Sequence, residues 1–311
     1  MRDLTGQVAF ITGGTSGIGL GIARAFIDAG IKVAVSYRCD EQLQRAWEYF
    51  HGSERHVHAI QLDVTDRDGM ERAAEEVERV FGRVHILCNN AAVGITVPVA
   101  EASFGDWDWA LAVNVGGVIN GIQSFLPRIR AHGEGGHILS TASMGGLFIG
   151  GNVGIYNTTK FAVVGLMEAL RSDIADSNIG VSVLCPGLVD TDIHLSELKR
   201  PARYARSGRA LDQSTHAARA ALFKHNVLSL GMDSLDVGRC VLHGLRHNHL
   251  YILTHPEYEA GLRERFEALL AAMPDESPAP AQRVRAEENV IRNAIYSEER
   301  DRRLSEPKPG R

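Results

Sequence analysis

What this 311-residue chain lacks narrows its function first. It has no run of about 18 consecutive apolar residues, so no membrane span is expected. The opening M-R-D-L-T-G-Q-V-A-F-I-T has no apolar stretch long enough for a secretory leader. Cysteine is scarce: four residues, at 39, 88, 185 and 240, with 49 residues between the closest pair. That spacing excludes a CxxC redox or zinc motif and suits reduced thiols in a cytoplasmic protein. A basic excess is missing too. Lys and Arg number 33 against 38 Asp and Glu, and a net charge of -5 argues against nucleic acid as a partner. His243 and His247 stand four apart, but H-G-L-R-H lacks the glutamate of a zinc helix. They are expected to be a solvated or core pair. No other ligand-like grouping is visible among the 13 histidines, so no metal is expected. Internal repeats and low-complexity stretches are also absent.

What is present is ordinary globular composition, 44% apolar and 23% charged, in a rhythm of short apolar runs and longer amphipathic segments. Gln7–Thr12, Ile31–Ser36, Val57–Leu62, Val84–Cys88, Gly136–Ser140, Val181–Cys185 and Leu250–Thr254 read as strands. They are continuous and often β-branched, as strands covered on both faces should be. Helix-like stretches such as Gly17–Gly30 and Asp66–Phe81 lie between them. The alternation predicts an α/β, doubly wound, mostly parallel sheet of Rossmann type. Such a sheet binds ligands beyond the carboxyl ends of its strands.

Directly after the first strand comes T-G-G-T-S-G-I-G, residues 12–19, with glycines 13, 17 and 19 in a GxxxGxG spacing. A turn out of a strand can require positive φ, and a pyrophosphate must approach bare backbone. The helix that follows offers free amides and a favourable dipole to that anion. A tight glycine turn without a ligand is the plainer alternative. Beyond the second strand, Ser36 and Tyr37 occupy the place where dinucleotide folds put a carboxylate for the ribose hydroxyls of NAD, and Arg38 follows. A guanidinium matches a ribose 2′-phosphate, so NADP(H) is preferred, with NAD(H) still possible and an ordinary surface arginine the alternative. Asp63, in L-D-V-T, can accept a hydrogen bond from an adenine amino group, or can cap the next helix.

The stretch Y-N-T-T-K sets Tyr156 and Lys160 one helical turn apart on one face. A phenol titrates near pH 10, so work near neutrality needs a positive charge close by. With T-G-G-T-S-G-I-G, N-N-A-A at 89–92, Asn114, Ser143, Y-N-T-T-K at 156–160 and P-G at 186–187, the chain resembles the short-chain dehydrogenase/reductases over roughly residues 5–195. The resemblance implies one Rossmann-type domain with a seven-stranded parallel sheet and hydride transfer between a nicotinamide and a carbonyl or alcohol carbon. It implies Tyr156 as general acid/base, Lys160 on the nicotinamide ribose, and Ser143 on the substrate oxygen. Ser140 and Thr141, nearby hydroxyls, are ranked lower as strand-end or backbone-supporting groups. Asn114 matches the asparagine whose backbone binds a relay water, although a structural helix kink is the alternative. Gly13, Thr15, Ser16, Gly17, Ile18, Gly19, Tyr37, Arg38, Asp63, Val64, Asn90, Ala91 and Ala92 would line the dinucleotide. Pro186, Gly187, Val189 and Thr191 would pack on its nicotinamide, with pro-S hydride transfer implied. Ala92 stands where the family has glycine, which would cost about 1 kcal/mol if that backbone needed positive φ.

Residues 1–273 are expected to form this domain, with a lid over the substrate cleft at about 190–232. The stretches R-P-A-R-Y-A-R-S-G, L-Y-I-L-T-H-P-E-Y and E-A-G-L-R-E-R-F-E-A-L-L loosely resemble bacterial Cα-dehydrogenases that oxidise benzylic alcohols of lignin-derived β-aryl ethers, which are associated with NAD. A bulky, aryl-bearing secondary alcohol or ketone is the expected substrate class, with hydroxysteroids still open. Met144, Leu147, Phe148, Leu188, His194 and Tyr204 are candidates for an apolar cleft mouth. A nucleotide-sensing regulator and an extended-branch sugar-nucleotide enzyme are the rival classes. The first is disfavoured because all four catalytic positions are intact, the second by the glycine spacing. The family implies a homodimer or homotetramer built through helices near 108–125 and 156–172. From the linker P-D-E-S-P-A-P onward, residues 274–311 carry eight acidic and eight basic residues. A narrow stripe of Val284, Ile291 and Ile295 predicts a helix there, on the domain or on a neighbouring subunit, with a disordered end.

Overall fold

A computed structural model describes residues 3–205, 213–274 and 278–306. Seven strands form one sheet: β1 Val8–Ile11, β2 Lys32–Tyr37, β3 Val57–Gln61, β4 Ile86–Asn89, β5 Gly136–Thr141, β6 Ile179–Cys185 and β7 Tyr251–Leu253. Their order is β3-β2-β1-β4-β5-β6-β7, and every pairing is parallel. All seven expected runs are strands, shifted by one or two residues at their ends. The chain runs outward from β1 to β3, then returns to pair β4 with β1. That reversal leaves a crevice beyond the carboxyl ends of β1 and β4.

Among the described residues, twelve α-helices connect and flank the strands: α1 Gly17–Asp28, α2 Asp40–Phe50, α3 Arg67–Phe81, α4 Phe104–Ala110, α5 Gly117–His132, α6 Gly154–Asp173, α7 Gln213–Asn226, α8 Ser234–His247, α9 Glu259–Ala271, α10 Ala281–Ala286, α11 Glu288–Ile291 and α12 Ala294–Ser305. Side chains on a strand alternate between faces, so β1 feeds two cores. Val8 and Phe10 point to the face covered by α3, α5 and α6, where Phe10 stacks on Phe125 at 4.6 Å. Ala9 and Ile11 point to the face covered by α1 and α8. Burial on both faces is why these strands read as unbroken apolar runs.

The helical run Phe104–His132 is long and apolar enough to cross a membrane, but more than half of its apolar window is buried, and it packs on β4, β5, α3 and α6. It is a core helix. Within it, Leu111–Gly116 is wound as a π-helix, so the kink considered for Asn114 exists.

The tail does not form the expected stripe. Val284 and Ile291 are exposed, on two short helices, and only Ile295 is buried. The anchor is polar: on α12, buried Glu299 accepts from the Leu250 amide at 2.8 Å, and Tyr296 donates to Glu168 of α6 at 3.1 Å. The tail helix therefore lies on the domain, beside the edge strand β7. Parts of the expected lid (206–212), linker (275–277) and tail end (307–311) lie outside the described residues.

Candidate active site

The glycine loop sits in the crevice between β1 and α1. Gly13 and Gly17 take φ values of +63° and +50°, which a side chain disfavours. A Cβ on Gly19 would lie 2.3 Å from the Gly13 carbonyl oxygen and 2.6 Å from Asn90 Nδ2. The loop is thus bare backbone by necessity. Thr15 is buried, Ser16 precedes the helix without capping it through its side chain, and Ile18 packs on the α1 core. Two residues that sequence reasoning left without this role hold the loop in place. Ser36 Oγ accepts from the Gly13 amide at 3.0 Å, and Thr12 Oγ1 accepts from the amides of Asn90 and Ala91 at 2.8 and 3.0 Å. Both lie inside the motifs, but nothing in the one-dimensional pattern separates them from strand residues. Ala92 carries no strain: among the described residues, positive φ outside glycine occurs at Asn152 and Asn248.

The next residues stand at the ends of β2 and β3. Tyr37 is half-buried and Arg38 exposed, with its guanidinium 3.9 Å from Asp63. Asp63 is not the cap of α3, since Asp66 holds that position. It closes a local turn, accepting from the amide and hydroxyl of Thr65 at 3.0 and 2.8 Å. Arg203, from the expected lid, donates to Asp63 at 3.1 Å and to Thr65 at 2.9 Å. Burial alone would raise the Asp63 carboxyl, yet the Thr65 bonds and the two guanidinium charges hold it below its ordinary value. Buried Val64 packs on Gly117 and accepts from Asn120 at 2.9 Å. A groove of about 580 Å³ lies here, lined by Asp63, Thr65, Ala112, Asn120, Arg203 and Tyr204 among others. Tyr204, expected at the cleft mouth, lines this groove.

Beyond β5 lie Ser143, Tyr156 and Lys160, the expected reacting groups. Ser143 begins a tight turn, its Oγ accepting from the Gly145 amide at 3.0 Å. Burial pushes the Tyr156 phenol above its ordinary value, and the nearby Ser143 side chain pulls it back. Lys160 is fully buried, and burial lowers its ammonium to about 8. Its Nζ donates to the Thr141 carbonyl at 2.8 Å and lies 5.4 Å from the Tyr156 ring centre. The expected lowering of the phenol by Lys160 is therefore not the governing effect in the protein alone, where desolvation dominates. Asn114 is buried in the π turn, and its amide ties Val93, at 2.8 and 3.0 Å, to Thr159 at 3.0 Å. Ser140 and Thr141 are supporting groups as ranked: Ser140 accepts from Asn89 at 3.3 Å and Thr141 donates to Asn90 at 3.3 Å.

After β6, Thr191 packs on Gly17 and Val189 bridges to Met232, so this segment closes the crevice opposite the glycine loop. A third supporting residue, His255, was also invisible in sequence. It accepts from the Gly187 amide at 3.1 Å through Nδ1 and bonds the Leu188 carbonyl at 2.8 Å through Nε2. Pro186 is held in turn by the Met144 amide on its carbonyl, at 2.9 Å. Near Ser143, Met144 is buried, Leu147 and Phe148 are half-buried, and Phe148 packs on Tyr258 at 5.5 Å between ring centres. Leu188 and His194 are half-buried in the same connection. All four cysteines are free.

A crevice floored by glycine backbone, with a serine, a tyrosine and a buried lysine at its side, is the site of a nicotinamide-dependent oxidoreductase. The short chain dehydrogenase family model matches residues 7–201, and the chain belongs to the short-chain dehydrogenase/reductase family. Over 289 residues it is 36% identical to the C alpha-dehydrogenase of Sphingobium sp. strain NBRC 103272 / SYK-6, covering 92% of this chain and 93% of that one. A short chain dehydrogenase/reductase from Burkholderia phymatum, solved in complex with NAD, superposes with a TM-score of 0.81 at 32% identity, covering 90% of this chain and 100% of that one. A short chain dehydrogenase from Burkholderia cenocepacia, solved with NADP, gives a TM-score of 0.63 at 28% identity, covering 79% and 92%. The protein is an NAD(P)-dependent enzyme, and the bare Gly13–Gly19 backbone fits a dinucleotide. His243 and His247, read from sequence as a solvated or core pair, come together with His249 and Glu306.

Proposed function

We propose that this enzyme interconverts a bulky, aryl-bearing secondary alcohol and its ketone, with NADP(H) as the preferred cofactor. The observation that carries the reading is the convergence of Ser143, Tyr156 and Lys160 beside the glycine loop. When bound, the cofactor supplies or takes up the hydride at the substrate carbon. Gly13, Gly17 and Gly19 would hold its pyrophosphate, Tyr37 and Arg38 the 2′-phosphate, and Asp63 and Val64 the adenine. Asn90, Ala91, Ala92 and Lys160 would hold the nicotinamide ribose side, and Pro186–Thr191 the nicotinamide. In reduction, Tyr156 gives its proton to the substrate oxygen while Ser143 donates a hydrogen bond to that oxygen. Lys160, with the backbone at Asn114, returns a proton to Tyr156 from solvent. Because burial raises the phenol, the protein by itself favours the proton-donating form; oxidation needs added positive charge in the site to bring the phenol down. The aromatic pair Phe148–Tyr258 near Ser143 supports an aryl or polycyclic substituent. Exposed Phe104, Leu111 and Ile119 along the Phe104–His132 helical run support assembly through this run as a dimer or tetramer.

A ketone and alcohol panel with both cofactors tests this. Tyr156→Phe should lower turnover by about 10²–10⁴ while NADP(H) binding is retained; unchanged turnover removes Tyr156 from its role. Arg38→Asp should shift preference from NADP toward NAD by roughly 10–100-fold. If wild type shows no NADPH advantage, the second reading gains: an NAD-dependent benzylic alcohol dehydrogenase, favoured by the near full-length likeness to the C alpha-dehydrogenase.

A further inference from the structure

Helix α8 ends at His247, and Asn248 follows with φ 56° and ψ 40°. This left-handed residue is clamped by Arg171, which donates to Asn248 Oδ1 at 2.7 Å. The reversal brings His249 back against the helix it has just left. His243 and His247 already face each other one turn apart, with ring centres at 4.1 Å. The His249 ring lies 5.5 Å from the first and 5.4 Å from the second. Glu306 arrives from the far end of the chain, just after α12. Its carboxylate bonds His249 Nε2 and lies 3.8 Å from His243 Nε2. One donor atom from each of the four residues lies within 4.8 Å of all the others.

We propose that His243, His247, His249 and Glu306 form a binding site for a divalent transition metal ion, zinc being the best match, which ties the carboxyl-terminal tail to the domain. Three imidazoles and a carboxylate are a zinc donor set, and bonds of about 2.0–2.1 Å place tetrahedral donors about 3.3 Å apart. Closing the observed group to that size asks for movements of about 1 Å. Exposed His243 and half-buried Glu306 are free to make them. His247 is already oriented: its Nδ1 donates to the His243 carbonyl at 2.9 Å, which leaves Nε2 as the ligand atom. Arg303 places an opposing charge close by. Its guanidinium is engaged by Glu299 at 3.0 Å and by the Tyr251 carbonyl.

The test uses untagged, full-length protein treated with chelator and then titrated with zinc chloride by calorimetry, and with cobalt(II) by visible absorption. One equivalent of zinc should bind near neutral pH, cobalt should give the bands of a tetrahedral site, and the tail should become more resistant to limited proteolysis. His243→Ala and Glu306→Gln, both at accessible positions, should each weaken zinc binding at least about tenfold. Absence of stoichiometric binding overturns the proposal and leaves the Glu306–His249 ion pair as the tail's anchor. Stoichiometric binding that both variants retain also overturns it, and directs attention to His85, His132 and Glu134.

Discussion

The two ends of the crevice are built by opposite means. At the β1–β2 end the walls are backbone. Gly19 leaves room for the Gly13 carbonyl, and Ser36 Oγ takes the Gly13 amide. At the β6 end the walls are side chains recruited from afar. Arg200 reaches Asp106, Ser196 reaches the Gly94 amide, and His255 reaches Gly187 and Leu188. The ligands proposed for the two ends account for the difference. A pyrophosphate is invariant and is best met by fixed amides, which cost nothing to preorganise. A substrate varies, and exchangeable side chains on long connections can be altered without disturbing the sheet.

If the substrate half stands on side-chain pairs, breaking one should cost stability there more than a mutation in the backbone half does. Arg200 Nη2 bonds Asp106 Oδ1 at 2.7 Å and Glu197 Oε1 at 2.7 Å, and the Arg200 and Asp106 side chains are 9% and 1% exposed. Arg200→Ala removes the counter-charge of buried Asp106, which keeps its Ser103 hydrogen bonds, and should cost about 3 kcal/mol in chemical denaturation. A loss below about 1 kcal/mol would show that the connection after β6 is not anchored through this pair.

The converse experiment is Gly19→Ala. Its methyl would meet the Gly13 carbonyl at 2.3 Å, so the loop must open where the pyrophosphate is expected. Dinucleotide affinity, followed by fluorescence titration, should fall at least about 100-fold, equivalent to roughly 2.7 kcal/mol, with a smaller loss of unfolding free energy. Equal losses of binding and stability would erase the distinction between the two ends.

That distinction also explains what could be read from the sequence. Backbone demands are local: Gly13, Gly17 and Gly19 announce themselves within seven residues, and the inner strands β1, β4, β5 and β6 show as apolar runs because each is covered twice. Tyr156 and Lys160 were legible for the same reason, since one helical turn joins them. Side-chain demands are not local. Arg203 lies 140 residues from Asp63, and His255 lies 68 from Gly187. Nothing at either position marks the partnership before folding. The tail failed in a related way: its apolar spacing suggested a greasy stripe, whereas Glu299 and Tyr296, polar residues with distant partners, hold it.

His255 tests how far the substrate end depends on one such recruit. Replacing it with Phe leaves the Gly187 amide without its acceptor and frees the Leu188 carbonyl. The expected cost is about 1–2 kcal/mol, seen as a roughly tenfold fall in kcat/KM with the melting temperature less affected. A stability loss with kinetics intact would make His255 a fold residue only.

The smallest effect sharpens the comparison beneath the reacting groups, where Cys185 ends β6 under Ser143 and Lys160. Burial, partly offset by the Ser143 amide and the Lys160 charge, pushes its thiol from about 9 to about 12. The unfolded chain therefore loses this proton first as pH rises. Native protein then binds more protons than unfolded protein, so the contribution of Cys185 to stability falls from pH 9 upward. Lys160 works the other way. Its folded value is about 8 against 10.5 unfolded, so the penalty for its buried charge is relieved from pH 8 upward. Both Lys160 and the buried Cys88 remain in a Cys185→Ala variant, so their contributions largely cancel in the difference between two pH–stability curves. Between pH ~8 and ~10 the wild type should lose about 1 kcal/mol more than Cys185→Ala. Parallel curves would mean that water reaches this thiol, and that the ground under Tyr156 and Lys160 is wetter than the packing of β5 and β6 implies.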